Sequence, residues 1–163
     1  MTQLLTLAPG DQVVYPKHGP GVVRAITQRS VGGEVRPYYD IELRTGGMQV
    51  LVPVEKASAL GLRRVLTKDE VPRLLSVLQG PDTQLPSAFP PRHRLQQAIL
   101  EGGQLYEVAQ LAGTLARRQL HRGLASSELS AFQQAKKAVV LELAVALDLS
   151  EAEAARLFDD RCA

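Results

Sequence analysis

The stretch PGDQVVYPKHGPGVV, residues 9–23, decides how the first part of this chain folds. It contains a Gly10-Asp11 turn dipeptide and a β-favouring run at residues 13–15, which Pro16 ends because proline cannot continue a strand ladder. Two glycines then supply backbone freedom before the next β-favouring run. The stretch therefore predicts a tight strand–turn–strand unit that opens a small β-barrel.

Glycine-containing turns separate further β-favouring runs, which predict strands at residues 22–29, 35–43 and 48–53. Short strands at this spacing are typical of a small SH3- or Tudor-like barrel. Pro37 and Pro53 cannot donate ladder hydrogen bonds, so we expect them at strand ends or exposed edges. At least one edge of the sheet is therefore expected to be open.

The periodicity becomes helical from Thr67 onward. Capping boxes at Thr67-Lys68-Asp69-Glu70 and at Ser150 with Glu153, a serine cap at Ser126 or Ser127, and glycine stops predict about five helices. The predicted fold class is α+β, an N-terminal Tudor/SH3-like β-barrel followed by a C-terminal all-α bundle. We place the barrel domain at residues 1–62 and the helical domain at residues 63–163.

Composition indicates a folded protein, since 45% of the 163 residues are hydrophobic and 22% are charged. No apolar run approaches the length of a membrane span and no N-terminal signal is apparent, so we expect a cytoplasmic location and no membrane partner. The single cysteine, Cys162, excludes an internal disulfide and favours a reducing compartment. Positive charge is concentrated at residues 87–123, which carry 5 basic and 2 acidic residues.

Catalytic and metal-binding patterns are not found. The three histidines, His18, His93 and His121, lie in unrelated segments, with no cysteine or carboxylate at metal-ligand spacing. The sequence lacks the G-x-S-x-G and H-E-x-x-H patterns of hydrolases and zinc proteases. We therefore predict no enzymatic activity, no metal and no cofactor.

Several motifs in order carry a family resemblance. Residues 9–23 are followed by Val-Leu-Val-Pro at residues 50–53, Gly-Leu-Arg at residues 61–63 and LPSAFPPRHR at residues 85–94. Together they resemble the CarD/CdnL family of bacterial RNA polymerase-binding transcription factors, whose β module is shared with the transcription-repair coupling factor. The resemblance extends over nearly the whole chain, and its helical half is similar to stand-alone CarD-like proteins.

The resemblance implies that the β module docks on the RNA polymerase β subunit by pairing strand edges. Arg29 matches a family position that contacts polymerase, whereas Leu51 stands where some relatives carry a contacting arginine. Because leucine has no charge, Leu51 can contact polymerase only through its apolar side chain or its backbone. The residues predicted to bind polymerase are Arg29, Val50, Leu51, Val52 and Pro53.

The helical half of the family holds the upstream edge of the melted promoter and inserts a tryptophan into the minor groove. This chain has no tryptophan, and Phe89 stands at that position. Phenylalanine is an accepted minor-groove wedge. From the residues alone, a phenylalanine between prolines is more often a packing group that anchors the loop to the helical core. The resemblance instead favours a ring that faces DNA.

Cations near such a wedge can neutralise phosphates without reading sequence. The third predicted helix spans roughly residues 104–122, and the arginines near its C-terminal end, Arg117, Arg118 and Arg122, equally fit the helix dipole. The residues predicted to bind DNA are Phe89, Arg92, His93, Arg94, Arg117, Arg118 and Lys136.

The resulting prediction is a global transcription regulator that acts as a monomer and associates with the nucleoid through polymerase. It would bind the RNA polymerase β subunit and stabilise the open promoter complex at the upstream bubble fork, without sequence specificity. The alternative is a protein-interaction adaptor that binds polymerase and makes little or no DNA contact. An enzyme is a distant third.

Overall fold

The structure, a computed structural model, describes residues 6–15 and 18–163. The backbone divides into two compact units, Met1–Val65 and Leu66–Ala163, which we call the β unit and the helical unit. The predicted end of the first strand at Pro16 lies outside the described residues.

The β unit forms one antiparallel five-stranded sheet with the strand order β4-β3-β2-β1-β5. Its strands are β1 Gln12–Tyr15, β2 Gly19–Val31, β3 Glu34–Leu43, β4 Gln49–Pro53 and β5 Arg63–Arg64. The short β5, which pairs with β1, was not predicted. Because β4 and β5 stand at opposite ends of the strand order, the sheet is open, as the proline positions had suggested.

Alternating side chains build a core on one face of the sheet. The buried residues of this β core are Leu7, Val13, Val23, Tyr39, Ile41, Leu43, Val52, Ala57 and Leu62. The Tyr39 hydroxyl oxygen accepts a hydrogen bond from the Leu7 amide at 3.1 Å, so the one large polar group in this core has a partner. Side chains that alternate with those of the core point to the opposite face, which we call the outer face.

Two glycines of the opening stretch have separate geometric roles. Gly19 has a φ of +84°, which places the start of β2 in a conformation that favours glycine. A Cβ at Gly21 would lie 2.8 Å from the carbonyl oxygen of Glu42, so a side chain there would force β2 and β3 apart. The predicted backbone freedom is confirmed at Gly19, whereas Gly21, inside β2, is needed because it has no side chain.

The helical unit contains five helices, and with the β unit before it the predicted fold class is confirmed. The helices are α1 Val71–Gln79, α2 Phe89–Gly102, α3 Leu105–Arg122, α4 Ser126–Leu147 and α5 Glu151–Cys162. The Ser150 hydroxyl caps α5 by accepting from the Glu153 amide at 3.1 Å, as predicted. The predicted serine cap of α4 is wrong, because the N-cap is Ala125 and no side chain caps this end.

Two apolar clusters hold the helices together. The larger one joins α1, α3, α4 and α5, with Leu78, Leu143 and Phe158 fully buried within it. The smaller one comprises Leu111, Leu115 and Ala131 of α3 and α4, against which half-buried residues of α2 pack. The helix α2 adds no fully buried apolar residue to either cluster, but its half-buried Ile99 and Leu100 pack against both.

Cys162 is buried at the end of α5. Burial raises the pKa of its thiol above the ordinary value; Asp159 raises it further, whereas Arg117 and Lys136 act in the opposite direction. Because the thiolate is the reactive form, we expect iodoacetamide at pH 8 to alkylate the folded protein at least about tenfold more slowly than the denaturant-unfolded chain. Because its pKa is raised, the alkylation rate of the folded protein should continue to rise at pH values above the pKa of an ordinary thiol. Equal rates in the folded and unfolded protein would contradict this placement.

Candidate functional site

The strand β4 is an edge strand, and its register shows which backbone groups point away from β3. The Leu43 amide donates to the carbonyl oxygen of Met48 at 2.8 Å. Counting from Met48 along β4, Val50 is two residues on and lies opposite Ile41, and Val52 is four residues on and lies opposite Tyr39. Because opposed residues in antiparallel strands alternate between bonded and non-bonded pairs, the backbone groups of Val50 and Val52 face β3.

The backbone groups of Gln49, Leu51 and Pro53 therefore point outward from the sheet. Gln49 and Leu51 each present an N–H and a carbonyl, whereas Pro53 presents a carbonyl alone. Within residues 6–15 and 18–163, no hydrogen bond to the outward N–H groups of Gln49 and Leu51 is found. An edge of this kind can accept an added strand.

The side chains of the predicted polymerase-binding residues divide between two faces. Val52 is buried in the β core and Val50 packs against it, so neither side chain is available to a partner. Leu51 is 38% exposed on the outer face, opposite Asp40. The site prediction missed Gln49, although the alternation around Leu51 is a sequence signal that could have identified it.

Arg29 lies on the outer face of β2, directly opposite Arg36 of β3. Arg36 forms ion pairs with Glu34 at 2.7 Å and with Glu55 at 2.8 Å. The hydrogen bond with Glu34, followed by the charge of Glu55, raises the pKa of Arg36. These carboxylates offset the repulsion between the opposed arginines. Among the residues that the structure describes, none pairs with Arg29, so its guanidinium is available to an external partner.

Arg29, Leu51 and Pro53 share the outer face of the sheet. On β3, Arg36, Tyr38 and Asp40 are spaced two residues apart, so their side chains lie on one face. Arg36 lies opposite Arg29, Tyr38 opposite Pro53, and Asp40 opposite Leu51. The structure therefore combines one unpaired cation, one exposed apolar side chain and an open strand edge on the β unit. We call these groups the β4 edge surface.

Phe89 is the first residue of α2, and its ring is 47% exposed. Pro90 and Pro91 follow it, and because proline lacks an N–H, the first turn has fewer unsatisfied donors and a fixed backbone. The ring stacks on that of His93, one turn along, with centroids 5.6 Å apart and an interplanar angle of 20°. An exposed aromatic ring is thus held on a stiff helix start.

Arg92 is engaged within the helical unit. Its Nη1 group donates to the carbonyl oxygen of Ser87 at 2.5 Å, and its Nη2 group donates to Glu128 Oε1 at 3.3 Å. The side chain is 16% exposed, and its guanidinium carbon lies 5.9 Å from the centroid of the Phe89 ring. These contacts orient Arg92 toward the protein and leave little of it for a phosphate.

Arg117 and Arg118 also contact protein groups. Arg117 donates to Asp82 Oδ1 at 2.9 Å and to the carbonyl oxygen of Leu78 at 2.6 Å, which joins α3 to the end of α1 and the loop after it. Arg118 Nη1 lies 4.0 Å from Glu128 Oε2. Both arginines were also interpreted as complements of the helix dipole, and both have acidic partners instead of standing in solvent.

Lys136 of α4 lies 2.8 Å from Asp159 Oδ1 of α5 and stands over the Phe158 ring, 5.4 Å from its centroid. Arg94 is exposed, and no hydrogen bond or ion pair joins it to another residue within the described part of the chain. Of the seven residues predicted to bind DNA, Phe89, His93 and Arg94 therefore have no acidic partner among the described residues, and the rings of Phe89 and His93 contact each other. We call these three residues the Phe89 surface.

The described residues contain neither a metal-ligand cluster nor a helix that could span a membrane. In residues 6–15 and 18–163, no group of three or more histidine, cysteine, aspartate or glutamate side chains is placed to hold a metal ion. None of the helices in the same ranges is long and apolar enough to cross a membrane.

Comparison with known proteins identifies the family. A family model for the CarD-like/TRCF RID domain matches residues 7–66, and a model for the CarD C-terminal domain matches residues 73–159. The chain therefore belongs to the CarD-like family of transcription factors. This membership supports a role in transcription regulation and implies an interaction with RNA polymerase, and the family is not a known enzyme class.

Individual relatives are similar at moderate identity. The chain is 25% identical over 142 residues to the putative transcription factor YdeB of Bacillus subtilis (strain 168), covering 87% of this chain and 93% of that protein. It is also similar to the solution NMR structure of the 72-residue N-terminal domain of Myxococcus xanthus CarD. That match has 36% identity, covers 39% of this chain and 84% of the other, and has a TM-score of 0.32.

Proposed function

We propose that this protein binds the β subunit of RNA polymerase through the β4 edge surface and stabilises the open promoter complex through the Phe89 surface. The observation that carries the proposal is the exposed Phe89 ring, held on a stiff helix start at the position where CarD-like relatives keep a tryptophan. The protein would act as a cytoplasmic monomer, associated with the nucleoid through polymerase.

Docking at β4 uses backbone groups for affinity and side chains for register. The outward groups of Gln49 and Leu51 would pair with a strand of the β subunit. Leu51 and Arg29 would then contact side chains on the outer face, one by apolar contact and the other through its charge. Val50 and Val52 would contribute indirectly, because their side chains fix β4 on the β core.

Replacing Leu51 with proline should weaken polymerase binding without unfolding the β unit. The substitution removes an outward N–H, while the bonds of β4 to β3 stay, and Pro53 already occupies an equivalent position two residues on. We expect a loss of affinity for the β subunit of about tenfold or more, since a lost hydrogen bond and a ring at the interface act together. Binding would be measured by surface plasmon resonance.

Leu51→Ala is the matched control because it keeps the N–H and removes most of the side chain. Under strand addition, Leu51→Pro weakens binding more than Leu51→Ala, while circular dichroism shows that both variants remain folded. Full affinity of a folded Leu51→Pro protein would contradict docking at the β4 edge.

At the promoter, the Phe89 ring would occupy a base step at the upstream edge of the bubble. Unstacked bases at a fork can contact an exposed ring, whereas a closed duplex must first be unstacked. Contacts that are better satisfied by melted DNA shift the equilibrium toward the open complex. Arg94 would supply a phosphate contact, and neither group needs a particular base sequence.

The lifetime of open complexes tests this function. Polymerase and a promoter fragment would be challenged with heparin in the presence and absence of the protein, and the surviving complexes would be followed over time. We expect the protein to lengthen the lifetime. An unchanged lifetime on every promoter tested, with the protein shown to be bound to polymerase, would contradict the proposal.

The adaptor alternative has support from the helical unit. Arg92, Arg117, Arg118 and Lys136 each contact an acidic side chain, which reduces the positive charge available to phosphates. An adaptor would bind polymerase with the same dependence on Leu51 and leave the open-complex lifetime unchanged. The heparin challenge therefore separates the two functions.

A further inference from the structure

A buried carboxylate joins three helices beneath the Phe89 surface. Glu128, in the first turn of α4, has a side chain that is 8% exposed. Its oxygens accept hydrogen bonds from Arg92 Nη2 at 3.3 Å and from Gln96 Nε2 at 3.4 Å, both on α2. Arg118 of α3 lies 4.0 Å away. One carboxylate thus connects α2, α3 and α4.

The first half of α2 depends on this contact because it has little apolar packing. The only residue of α2 that is fully buried is Gln96, a polar side chain that contacts Glu128. The half-buried Ile99 and Leu100, which pack against both apolar clusters, lie in the second half of the helix. Glu128 is therefore the polar attachment of the first half of α2, beside the apolar contact that Leu85 makes just before the helix.

Arg92 connects Glu128 to the residues around the Phe89 ring. The same guanidinium that binds Glu128 also binds the carbonyl oxygen of Ser87 at 2.5 Å and lies 5.9 Å from the centroid of the Phe89 ring. It therefore fixes the residues on both sides of the helix start. Its Nε group is buried without a hydrogen-bond partner among the described residues, which is a cost that apolar packing would avoid.

We infer that Glu128 is a positioning residue, which sets the orientation of Phe89 through Arg92. The inference rests on the proposed function for its effect at the promoter. Without the carboxylate, two arginines lose their counter-charge in a largely buried place, and Arg92 turns toward solvent. The Ser87 carbonyl is then released, and the Phe89 ring samples several orientations instead of one.

A spectroscopic measurement tests the inference without polymerase. The protein has three phenylalanines, so labelling with 4-fluorophenylalanine gives three fluorine resonances, and a Phe89→Leu variant assigns one of them. We expect Glu128→Gln to shift or broaden the Phe89 resonance while that of the fully buried Phe158 stays unchanged. An unaltered Phe89 resonance in Glu128→Gln would overturn the inference.

Two further variants keep this test decisive. Glu142→Gln removes the other buried carboxylate of α4, whose Oε1 accepts from the Leu66 amide at 2.9 Å, and it should leave the Phe89 resonance in place. Arg92→Lys keeps the charge but cannot bind Ser87 and Glu128 with one planar group. It should alter the Phe89 resonance as Glu128→Gln does, and it serves if Glu128→Gln does not fold.

A double-mutant cycle tests the effect at the promoter. We expect Glu128→Gln to reduce the lengthening of open-complex lifetime by about fivefold, and to have no further effect in a Phe89→Ala protein, because coupled residues are not additive. Equal effects in both backgrounds would overturn the inference. If the Phe89→Ala protein lengthens the lifetime as much as the original protein does, the role of Phe89 in the proposed function is wrong, and the fluorine spectra alone decide the role of Glu128.

Discussion

A Phe89→Ala protein should bind RNA polymerase normally and lose most of its effect on the open complex. The ring is exposed at the start of α2, so its removal leaves no cavity in either apolar cluster. Under the proposed function, the contact that is lost would be one with DNA, where an inserted apolar side chain offsets the cost of unstacking a base step. We expect the lengthening of lifetime to fall by about tenfold, which corresponds to roughly 1.4 kcal/mol.

Two comparison variants sharpen this result. Leu120→Ala removes another exposed apolar side chain, at the end of α3, and should leave the lifetime unchanged. Phe89→Trp presents a larger ring on the same helix start and should match or exceed the original protein. If Phe89→Ala retains full activity in the heparin challenge, the ring is a packing group and the wedge assignment is wrong.

Replacing Gly113 with alanine is expected to destabilise the helical unit strongly. Gly113 lies in the middle of α3, and a Cβ there would stand 2.2 Å from the carbonyl oxygen of Leu78 at the end of α1. This contact cannot be relieved by a side-chain rotation, because the opposing atom belongs to the backbone. The two helices must separate, which also stretches the bond from Arg117 to the Leu78 carbonyl.

Overpacking of this kind costs about 3 kcal/mol, and the better helix propensity of alanine recovers about 1 kcal/mol. The net loss of about 2 kcal/mol corresponds to a decrease in Tm of roughly 10 °C for a unit of this size, measurable by calorimetry. Gly102→Ala is the matched control, since Gly102 closes α2 and has nothing within 4 Å of its Cβ position. Equal melting of Gly113→Ala and the original protein would contradict the close approach of α1 and α3.

The fold class could be predicted from the sequence because the signals for strands, turns and helix caps are local. Glycine and proline in residues 9–23 mark where β1 ends and where β2 can approach β3. The Ser150 cap marks the start of α5, and the Thr67 capping box opens a short 3-10 turn that leads into α1. The two-residue β5 escaped prediction because a pairing of that length has no periodicity of its own. The serine cap of α4 failed because Ala125, one residue earlier, takes the extended conformation of an N-cap.

The candidate site could be predicted in part. Phe89 and Leu51 are identified through the family resemblance, and both side chains are exposed in the structure. The engagement of Arg92 could not be predicted, because its partner Glu128 lies 36 residues away on another helix. Arg117 with Asp82, and Lys136 with Asp159, pose the same problem. Whether a cation is free for a phosphate depends on tertiary neighbours that periodicity does not reveal.

In the proposed complex, Phe89 contacts the upstream fork of the bubble while the β unit is docked on polymerase. A photo-crosslinking amino acid, p-benzoylphenylalanine, placed at position 89 tests this contact in a complex of the full chain with polymerase and a forked promoter fragment. The same group at position 120, another exposed site on the helical unit, is the control. We predict a crosslink from position 89 to the DNA strand at the upstream edge of the bubble and none from position 120. A crosslink from position 89 to polymerase alone, or none at all, would contradict the account.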